Sequence, residues 1–397
     1  MLDSIFIGTS GLQTFSSGLK VISNNVANLN TPGFKSSSSL FSSLYYARPG
    51  DGSGQAAGGS TQFGGGVALD QTIVNFRSGE LRQTGNPLDL NINGEGFFIT
   101  REEGTGEAVY TRAGQFEFNG DGVLVVRGTD KQVMGLTETG AQLPITLSGL
   151  RLNPPKATTA VTMTGNLSSS VTDFNLTNLK VVDAAGGEHT LKVNFKPKTG
   201  AAGTWEVKIT DGATDVTSGE IQFTNSIPSP GANSLTFAYA PAGVAGTSVT
   251  LDFSGNVTSF DTGTLSSLAI GTTDGYAVGS LTRVGFEADG TLSLSYSNGQ
   301  TAKGARIALA LFDANARLEP QGGSDFTYDA RQGVHVGQAN HGEFGSVGSS
   351  QIEGSNVDLA TEFSDLIVAQ RGYQASSRIV STANELLQEL FDMKGHR

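Results

Sequence analysis

The sequence contains no cysteine among its 397 residues, which excludes disulfides, thiol catalysis and thiolate metal ligands together. It also has no run of roughly 18 or more apolar residues, so no segment predicts a membrane-spanning helix. The opening stretch MLDSIFIGTSGLQTF carries no basic residue, whereas a secretory signal peptide has a basic n-region, a long apolar h-region and a cleavage site. We therefore expect no membrane insertion and no cleaved signal peptide.

Charge is scarce and unevenly placed. Charged residues make up 16% of the chain, against about 25% in ordinary soluble domains. The 25 basic and 37 acidic side chains leave a net charge of −12, which argues against nucleic acid or anionic lipid as partners because both need clustered Lys and Arg. Residues 1–70 hold three acids and three bases, and residues 356–397 hold six acids and four bases, so −10 of the −12 falls on residues 71–355. This distribution predicts a middle that faces water and two ends that face protein.

Glycine is abundant, with 54 residues in 397, about twice the usual ~7%. Glycine and proline together still make up only about 16% of the chain, short of the ~25–30% typical of disordered low-complexity sequences. The chain is therefore expected to fold with frequent turns, and its length predicts about two to four domains.

An apolar stripe with alternating steps of three and four residues marks the N-terminal segment. This 3.5-residue period is typical of a helix of coiled-coil type. The stripe consists of Leu12, Phe15, Leu19, Ile22, Val26 and Leu29. Because a helix does not continue through Pro32 and Gly33, the sequence predicts an N-terminal coiled-coil helix within residues 1–33.

The C-terminal segment, residues 353–397, has the same design. One series of residues seven apart is apolar throughout and consists of Leu359, Leu366, Tyr373, Val380 and Leu387. A companion series is apolar at its ends and polar in its centre, and consists of Phe363, Gln370, Ser377, Asn384 and Phe391. Each stripe could be the core-facing side of an ordinary globular helix. However, the first helix has uncharged polar residues where a solvated helix usually carries Glu and Lys, which favours terminal helices that pair as a coiled coil and are covered by other protein.

Residues 34–66 are rich in Gly and Ser, which predicts a loop or an extended linker. Gly50, Gly52 and Gly54 within this range neither follow a predicted strand nor open a helix. A phosphate-binding loop is therefore not indicated there.

The middle of the chain predicts two nested antiparallel β domains. Residues 67–149 alternate apolar and polar positions between Asn-Gly and Asp-Gly turn pairs, and residues 284–352 contain a further hairpin of this kind. These two ranges are expected to form one discontinuous β domain, into which residues 150–283 are inserted as an outer β domain with Trp205 as a core anchor. The predicted fold class is mainly β with terminal α-helices.

Candidate catalytic and metal-binding groups are few. The best metal candidate combines His335, His341 and Glu343, but their spacing matches no recognised metal pattern, and a solvated loop is favoured. The turn that starts at Glu117 begins like a calcium loop, yet its twelfth position is Gly128, which cannot supply the required carboxylate, so a tight hairpin is favoured. We expect no catalytic, metal-binding or cofactor-binding residue. An enzyme and a monomeric adhesin-like β protein stay open beside a structural polymer subunit.

Several stretches resemble the bacterial flagellar rod and hook axial proteins. The N-terminal signature of that family is similar to SGLQTFSSGLKVISNNVANLNTPGFK (residues 10–35), and its C-terminal signature is similar to EGSNVDLATEFSDLIVAQRGYQASSRIVSTANELL (residues 353–387). The β domain that the family shares is similar to TGNPLDLNINGEGFFIT (residues 84–100) followed by VYTRAGQFEFNGDG (residues 109–122). The positions that match the terminal motifs are Asn24, Asn25, Asn28, Pro32, Gly33, Phe34, Asn356, Gln370 and Arg371.

The resemblance implies a structural subunit whose terminal helices form the inner wall of a tube. Rod members of the family are shorter and lack a large insert, so residues 150–283 favour the member that builds the hook. The hook is a curved, flexible tube that acts as a universal joint and transmits motor torque from rod to filament. The alternative is a distal rod or hook-associated axial protein, since residues 34–66 resemble the linker of the distal rod protein.

The resemblance also implies a set of partners. These are further copies of the chain in a helical homopolymer, the distal rod protein, the hook cap and hook–filament junction proteins, and the flagellar type III export apparatus. Subunits would leave the cell unfolded by that export route, without a cleaved signal peptide, and would be extracellular in the hook of the flagellum. Neither enzyme activity nor a cofactor is implied, and nucleic acid is not among the partners.

Overall fold

The structure, a computed structural model, describes residues 2–47, 62–104, 106–313, 318–328 and 333–395. The chain is mostly β with one helix near each end, which confirms the predicted fold class. It divides into two compact units. The first unit comprises Met1–Leu147, Gly285–Ser293 and Lys303–Arg397, and the second comprises Ser148–Val284 and Leu294–Ala302.

Both described helices belong to the first unit, namely α1 (Leu2–Ala27) and α2 (Leu359–Gly395). The strands that precede the second unit are β1 (Ser37–Ala47), β2 (Gln62–Val74), β3 (Leu81–Gln83), β4 (Leu90–Asn93), β5 (Phe97–Glu102), β6 (Ala108–Thr111), β7 (Phe116–Phe118), β8 (Leu124–Val126), β9 (Lys131–Leu136) and β10 (Gln142–Pro144). The strands within the second unit are β11 (Leu152–Asn153), β12 (Ala160–Asn166), β13 (Phe174–Val182), β14 (Glu188–Pro197), β15 (Thr204–Asp211), β16 (Thr214–Thr224), β17 (Ile227–Pro228), β18 (Ser234–Tyr239), β19 (Thr247–Thr258) and β20 (Ala269–Thr273). The strands that contain residues of both units are β21 (Gly279–Phe286), β22 (Thr291–Tyr296) and β23 (Thr301–Leu311). The last strands are β24 (Glu319–Pro320), β25 (Asp325–Thr327), β26 (His335–Gln338), β27 (Ser346–Ser349) and β28 (Gln351–Glu353).

The end of α1 lies a few residues before the predicted Pro-Gly break. The Asn28 backbone N–H still donates to the Asn24 carbonyl at 3.2 Å, and Thr31 N–H donates to the Asn28 carbonyl at 3.1 Å in the turn that follows. Gly33 then has a φ of +69°, a left-handed conformation that favours glycine. A Cβ atom at Gly33 would also lie 2.4 Å from the backbone nitrogen of Ala113. The chain can therefore turn toward the β domain only because this residue is glycine.

A long β-hairpin follows α1, where the sequence predicted a Gly/Ser linker over residues 34–66. β1 pairs antiparallel with β2 from Ser37–Val74 to Ala47–Gln62, with register shifts after Leu40 and Leu44. Residues 48–61, with Gly50, Gly52 and Gly54, lie outside the described residues. The linker prediction was wrong for the two flanking segments. Serine and glycine have weak strand propensity, so the local composition does not indicate strands here. Pairing between the two strands and packing against α1 stabilise them.

The β-sheet of the first unit carries an apolar core, and Val74 at the end of β2 packs against it. β5 pairs with β6 and β9, and β6 pairs with β25. The buried side chains of this core are Phe97, Ile99, Tyr110, Met134, Ala308, Ala310 and Phe326. β27 pairs with β4 and β28 pairs with β3, so the chain just before α2 returns to the strands that follow the hairpin. The two termini are thereby brought to one side of the same β domain.

The second unit is built from two sheets around a separate core. One sheet has the order β13-β14-β15-β16-β17 and the other has the order β18-β19-β12-β20. Both sheets contribute to the core, in which Trp205 is 2% exposed and Phe195 and Phe253 are fully buried. Pairing is antiparallel except between β12 and β19, which are parallel. These strands are far apart in sequence, and the long intervening chain permits the crossover that a parallel pair requires.

Among the described residues, neither helix is long and apolar enough to cross a membrane.

Candidate assembly interface

The helices α1 and α2 pack closely because small residues stand at their contact. A Cβ atom at Gly8 would lie 2.6 Å from Val380 Cγ2 and 3.2 Å from the Ser376 carbonyl oxygen. A Cβ atom at Gly372 would lie 2.4 Å from the ring of Phe15. Each helix therefore provides a glycine where the other helix provides a larger side chain. A larger residue at either glycine would increase the distance between the two helices.

The apolar series on α2 only partly faces α1. Leu366, Val380 and Leu387 are half-buried, whereas Leu359 and Tyr373 are exposed. The second buried row does not follow the companion series, whose ends Phe363 and Phe391 are 52% and 72% exposed. It lies one residue earlier in each heptad and consists of Glu362, Ala369, Ser376 and Ala383. Small residues carry little hydrophobic signal, so the sequence pattern did not reveal this row.

The apolar stripe on α1 is half-buried along its whole length. Phe15 contacts α2 and also meets Phe41 of the hairpin, with ring centroids 6.0 Å apart. The hairpin is held to α1 by polar contacts, since Thr14 Oγ1 donates to the Val67 carbonyl at 3.1 Å and Val67 N–H donates to Ser10 Oγ at 3.3 Å. The stripe residues Leu12, Phe15, Leu19, Ile22, Val26 and Leu29 all keep part of their surface accessible.

The motif residue Asn25 links α1, β1 and α2. Its side chain is buried, and Nδ2 donates to Glu362 Oε1 at 2.9 Å and to the Ser37 carbonyl at 2.7 Å, while Oδ1 accepts from Ser37 N–H at 3.0 Å. Burial raises the pKa of the Glu362 carboxyl, the hydrogen bond from Asn25 opposes this effect, and the nearby Asp365 and Asp358 raise the pKa further. The helix pair therefore contains a buried carboxyl group that ionises with difficulty.

A buried ionic cluster joins both termini to the β domain. Lys35 Nζ donates to Glu353 Oε1 at 2.6 Å, and Arg112 lies 3.4 Å from Glu353 Oε2. The three side chains are at most 3% exposed. Glu353 Oε1 also accepts from Gly79 N–H at 2.9 Å, and Arg112 donates to the Gly94 carbonyl at 2.9 Å. Burial lowers the pKa values of Lys35 and Arg112, and Glu353 opposes this effect in both cases.

Asn356 adds a second link between the termini. Its Oδ1 accepts from Ser36 N–H at 2.7 Å, and its Nδ2 donates to the carbonyls of Asn75 at 2.7 Å and Arg77 at 2.9 Å. Asn356 therefore joins the start of β1, the end of β2 and the chain that leads into α2.

The remaining motif residues fall into two groups. Asn24, Asn28, Pro32, Gly33 and Phe34 shape the turn after α1: Asn28 Nδ2 donates to the Asn24 carbonyl at 2.9 Å, the Pro32 carbonyl accepts from Ser324 Oγ, and Phe34 is buried. Gln370 and Arg371 are exposed on α2 and face away from α1. Local structure explains the residue types of the first group, whereas the second group presents polar side chains to the surroundings.

Sequence reasoning missed Lys35, Arg112, Glu353 and Glu362 as interface residues. Lys35 and Glu353 lie inside the two terminal signatures, but they are 318 positions apart and no local pattern pairs them. The only available signal is that each charge adjoins glycine and apolar residues, an unusual setting for a solvated side chain.

The candidate metal residues lie elsewhere. His335 is exposed, with Nε2 3.5 Å from Asp313 Oδ1. Within the part of the chain that the structure describes, no group of three or more His, Asp or Glu side chains is arranged to hold a metal ion. At the candidate calcium turn, Val123 N–H donates to Asn119 Oδ1 at 2.9 Å between β7 and β8, as in a tight hairpin.

A mainly β chain whose ends meet as a helix pair, with apolar residues exposed on the C-terminal helix, is typical of a structural subunit. Matching sequence families are "Flagella basal body rod protein" over residues 5–35, "Flagellar hook protein FlgE/F/G D1 domain" over residues 91–171 and "Flagellar basal body rod FlgEFG protein C-terminal" over residues 349–393.

Relatives that match over nearly the whole chain identify the family more closely. The flagellar hook protein FlgE of Rhizobium meliloti is 32% identical, with 98% of each chain covered. Those of Escherichia coli K12 and Salmonella typhimurium are each 30% identical, with 97% of this chain and 98% of the relative covered. The crystal structure of Helicobacter pylori flagellar hook protein FlgE2 aligns with a TM-score of 0.45 and 13% identity over 67% of this chain and 98% of that chain.

The chain belongs to the flagellar hook protein FlgE family. It is a structural component of the flagellar hook, and the alternative of a distal rod or hook-associated protein is not favoured.

Proposed function

We propose that the chain polymerises through its paired terminal helices into the inner wall of a curved helical tube, with the β units outside. The observation that carries this proposal is the exposed apolar surface of α2. Apolar residues of α2 that stay largely exposed in a single copy include Phe363, Ile367, Val368, Ile379, Leu386, Leu390 and Phe391. A single copy leaves this surface in water, whereas neighbouring copies would cover it.

Burial of these apolar side chains would stabilise an assembled state. Complete burial of one such side chain contributes about 1.5–3 kcal/mol, so a helix with several half-exposed apolar residues gains stability when other helices surround it. Identical copies can repeat one contact between two different surfaces. When the rotation from copy to copy does not close into a ring, the result is a helical polymer. Assembly into a tube would therefore cover the apolar side chains that the helices leave exposed in a single copy, and it needs no further ligand.

The division between helices and β units suits a universal joint. The buried links through Glu353, Asn356 and Asn25 attach the helix pair firmly to the first β domain. Torque would pass along the helical wall through these links, while more polar contacts between β units would slide as the tube bends. We further propose that the two ends of the tube contact the distal rod protein and the hook–filament junction proteins, that a hook cap covers the growing end, and that the subunits are extracellular after export by the flagellar type III apparatus.

The proposal is tested by Leu366→Asp, which places a charge at a half-buried position of the apolar series on α2. We expect no tubes by electron microscopy or sedimentation at concentrations where the wild-type chain assembles. The matched control is Ser364→Asp, an exposed position on the same helix, which should assemble normally. The intensity and wavelength of Trp205 fluorescence should be unchanged in both variants. Normal tubes from Leu366→Asp would contradict the role of the terminal helices.

A further inference from the structure

An open cleft lies beside the helix pair, between α1, β1 and the first turns of α2. Its volume is about 360 Å³, equivalent to roughly a dozen water molecules at ~30 Å³ each. Side chains that line it include Phe15, Ile22, Phe41, Val368, Glu362 and Asp365. All of these residues belong to the first unit, and we call this space the acidic cleft.

The acidic cleft has an apolar interior and a negative rim. Apolar side chains such as Phe15 and Phe41 supply the larger part of its lining surface, and serines of β1 supply polar groups beside them. The described residues that line it include two acids and neither Lys nor Arg. Glu362 is buried against Asn25, whereas Asp365 is exposed at the mouth. Such a cleft accepts an apolar side chain that is accompanied by a positive charge and disfavours one that brings a negative charge.

The C-terminal half of α2 presents a surface of the matching kind. Four of its exposed apolar residues follow steps of seven, four and three along one side of the helix, and they are Ile379, Leu386, Leu390 and Met393. We call them the apolar patch. Arg378 is exposed directly beside Ile379, whereas the exposed acids Glu385, Glu389 and Asp392 lie six or more residues beyond Ile379. The Ile379 end of the patch therefore combines an aliphatic side chain with a cation.

We propose that the apolar patch of one copy docks into the acidic cleft of a second copy, with Ile379 entering the cleft and Arg378 pairing with Asp365 at its rim. This inference rests on the proposed assembly through terminal helices and specifies which surfaces meet. Asp365 and Arg378 are thirteen positions apart on one helix, or about 20 Å at ~1.5 Å per residue, so they cannot pair within a chain. The contact joins two different surfaces and is therefore head-to-tail and open, as a growing tube requires.

The first test changes the sign of charge at one position. Ile379→Glu would bring a carboxylate to a negative rim, whereas Ile379→Lys would bring an ammonium on an aliphatic stem. We expect the critical concentration for assembly, measured by sedimentation, to rise at least ~10-fold for Glu and to stay within ~3-fold of wild type for Lys. Equal effects of the two substitutions would overturn the proposal. Ser377→Glu, at an exposed neighbouring position, controls for added charge alone.

The second test exchanges the charges between copies. Asp365→Arg alone and Arg378→Glu alone should each raise the critical concentration at least ~10-fold, because each places like charges at the contact. A chain with both substitutions, and an equal mixture of the two single variants, should each assemble within ~3-fold of wild type, since opposite charges then meet again. Failure of both the double variant and the mixture, or normal assembly by the single variants, would overturn the pairing. Normal assembly by Leu366→Asp would instead contradict the proposed function, so the two failures are distinguishable.

Discussion

Glu353 is the anion on which two buried cations depend. Lys35 and Arg112 both contact its carboxylate, and neither is more than 3% exposed. Removal of one partner from a buried ion pair leaves an uncompensated charge, which is more costly than the pair itself is stabilising. The cluster therefore makes the docking of the N-terminal segment conditional on the C-terminal segment.

We expect Glu353→Gln to lower the free energy of unfolding of the first unit by about 3–5 kcal/mol. The measurement is denaturant unfolding followed by far-UV circular dichroism, which reports the two helices of that unit. Glu80→Gln provides a control at an exposed position nearby. A loss below about 1 kcal/mol for Glu353→Gln would show that the cluster does not hold the termini.

Glu362 makes the stability of the helix pair depend on pH. Because burial raises the pKa of its carboxyl, the folded chain binds this proton more tightly than the unfolded chain does. Its contribution to stability is therefore complete below the unfolded-state pKa and is lost as the pH rises through the higher folded-state pKa. The raised pKa of Glu362 therefore makes the folded chain less stable at neutral pH than in acid.

We expect Glu362→Gln to raise the free energy of unfolding at neutral pH and to leave it unchanged in acid, because the amide oxygen can still accept from Asn25 without a buried charge. Denaturant unfolding of both chains at several pH values between about 4 and 7 measures the difference, which isolates this group from the other titrating carboxylates. A difference that does not vary with pH would contradict the assignment.

The packing of α1 against α2 depends on glycine residues that let the two helices approach closely. Valine has a higher helix propensity than glycine by a few tenths of a kcal/mol, so Gly8→Val should stabilise an isolated α1. In the pair, however, its Cβ would lie 2.6 Å from Val380 Cγ2 and 3.2 Å from a backbone oxygen that cannot easily move. Packing and propensity therefore predict opposite signs.

We expect Gly8→Val to destabilise the helix pair by about 1–3 kcal/mol through overpacking. Hydrogen exchange of backbone amides in α2 should show faster opening near Val380. Thr9→Val, at the adjacent exposed position, is the matched control and should leave exchange unchanged. Slower exchange in Gly8→Val would mean that propensity outweighs packing.

The hairpin β1–β2 shows how tertiary contacts override local composition. Its serine-rich first strand has little intrinsic preference for β structure, yet it pairs with β2 over its whole length and packs against α1. β1 also supplies Phe41 to the acidic cleft. A segment expected to separate the helix from the β domain instead forms part of the interface.

The two units of the molecule have separate cores and separate spectroscopic reporters. The chain contains one tryptophan, and Trp205 lies in the core of the second unit, whereas both described helices lie in the first unit. Fluorescence therefore follows the second unit, and the helical signal in circular dichroism follows the first.

We expect Ile209→Ala to lower the stability seen by fluorescence by about 2–5 kcal/mol with little change in the helical signal. Ile307→Ala should have the reverse effect, because Ile307 is equally buried in the first unit. Denaturant unfolding monitored by both signals on each variant makes the comparison. Coincident shifts in both signals for either variant would show that the units unfold as one.

The sequence by itself determined the two terminal helices, the β character of the middle and the membership of the axial proteins. A 3.5-residue apolar period, turn pairs with glycine and the terminal signatures are all local patterns, and local patterns are visible without a fold. The tertiary structure alone decided which row of α2 faces α1, that residues 37–47 and 62–74 are strands, and that Glu353 neutralises Lys35. Buried small residues carry no hydrophobic signal, and charges 318 positions apart have no local signature, so only the folded chain could bring them together.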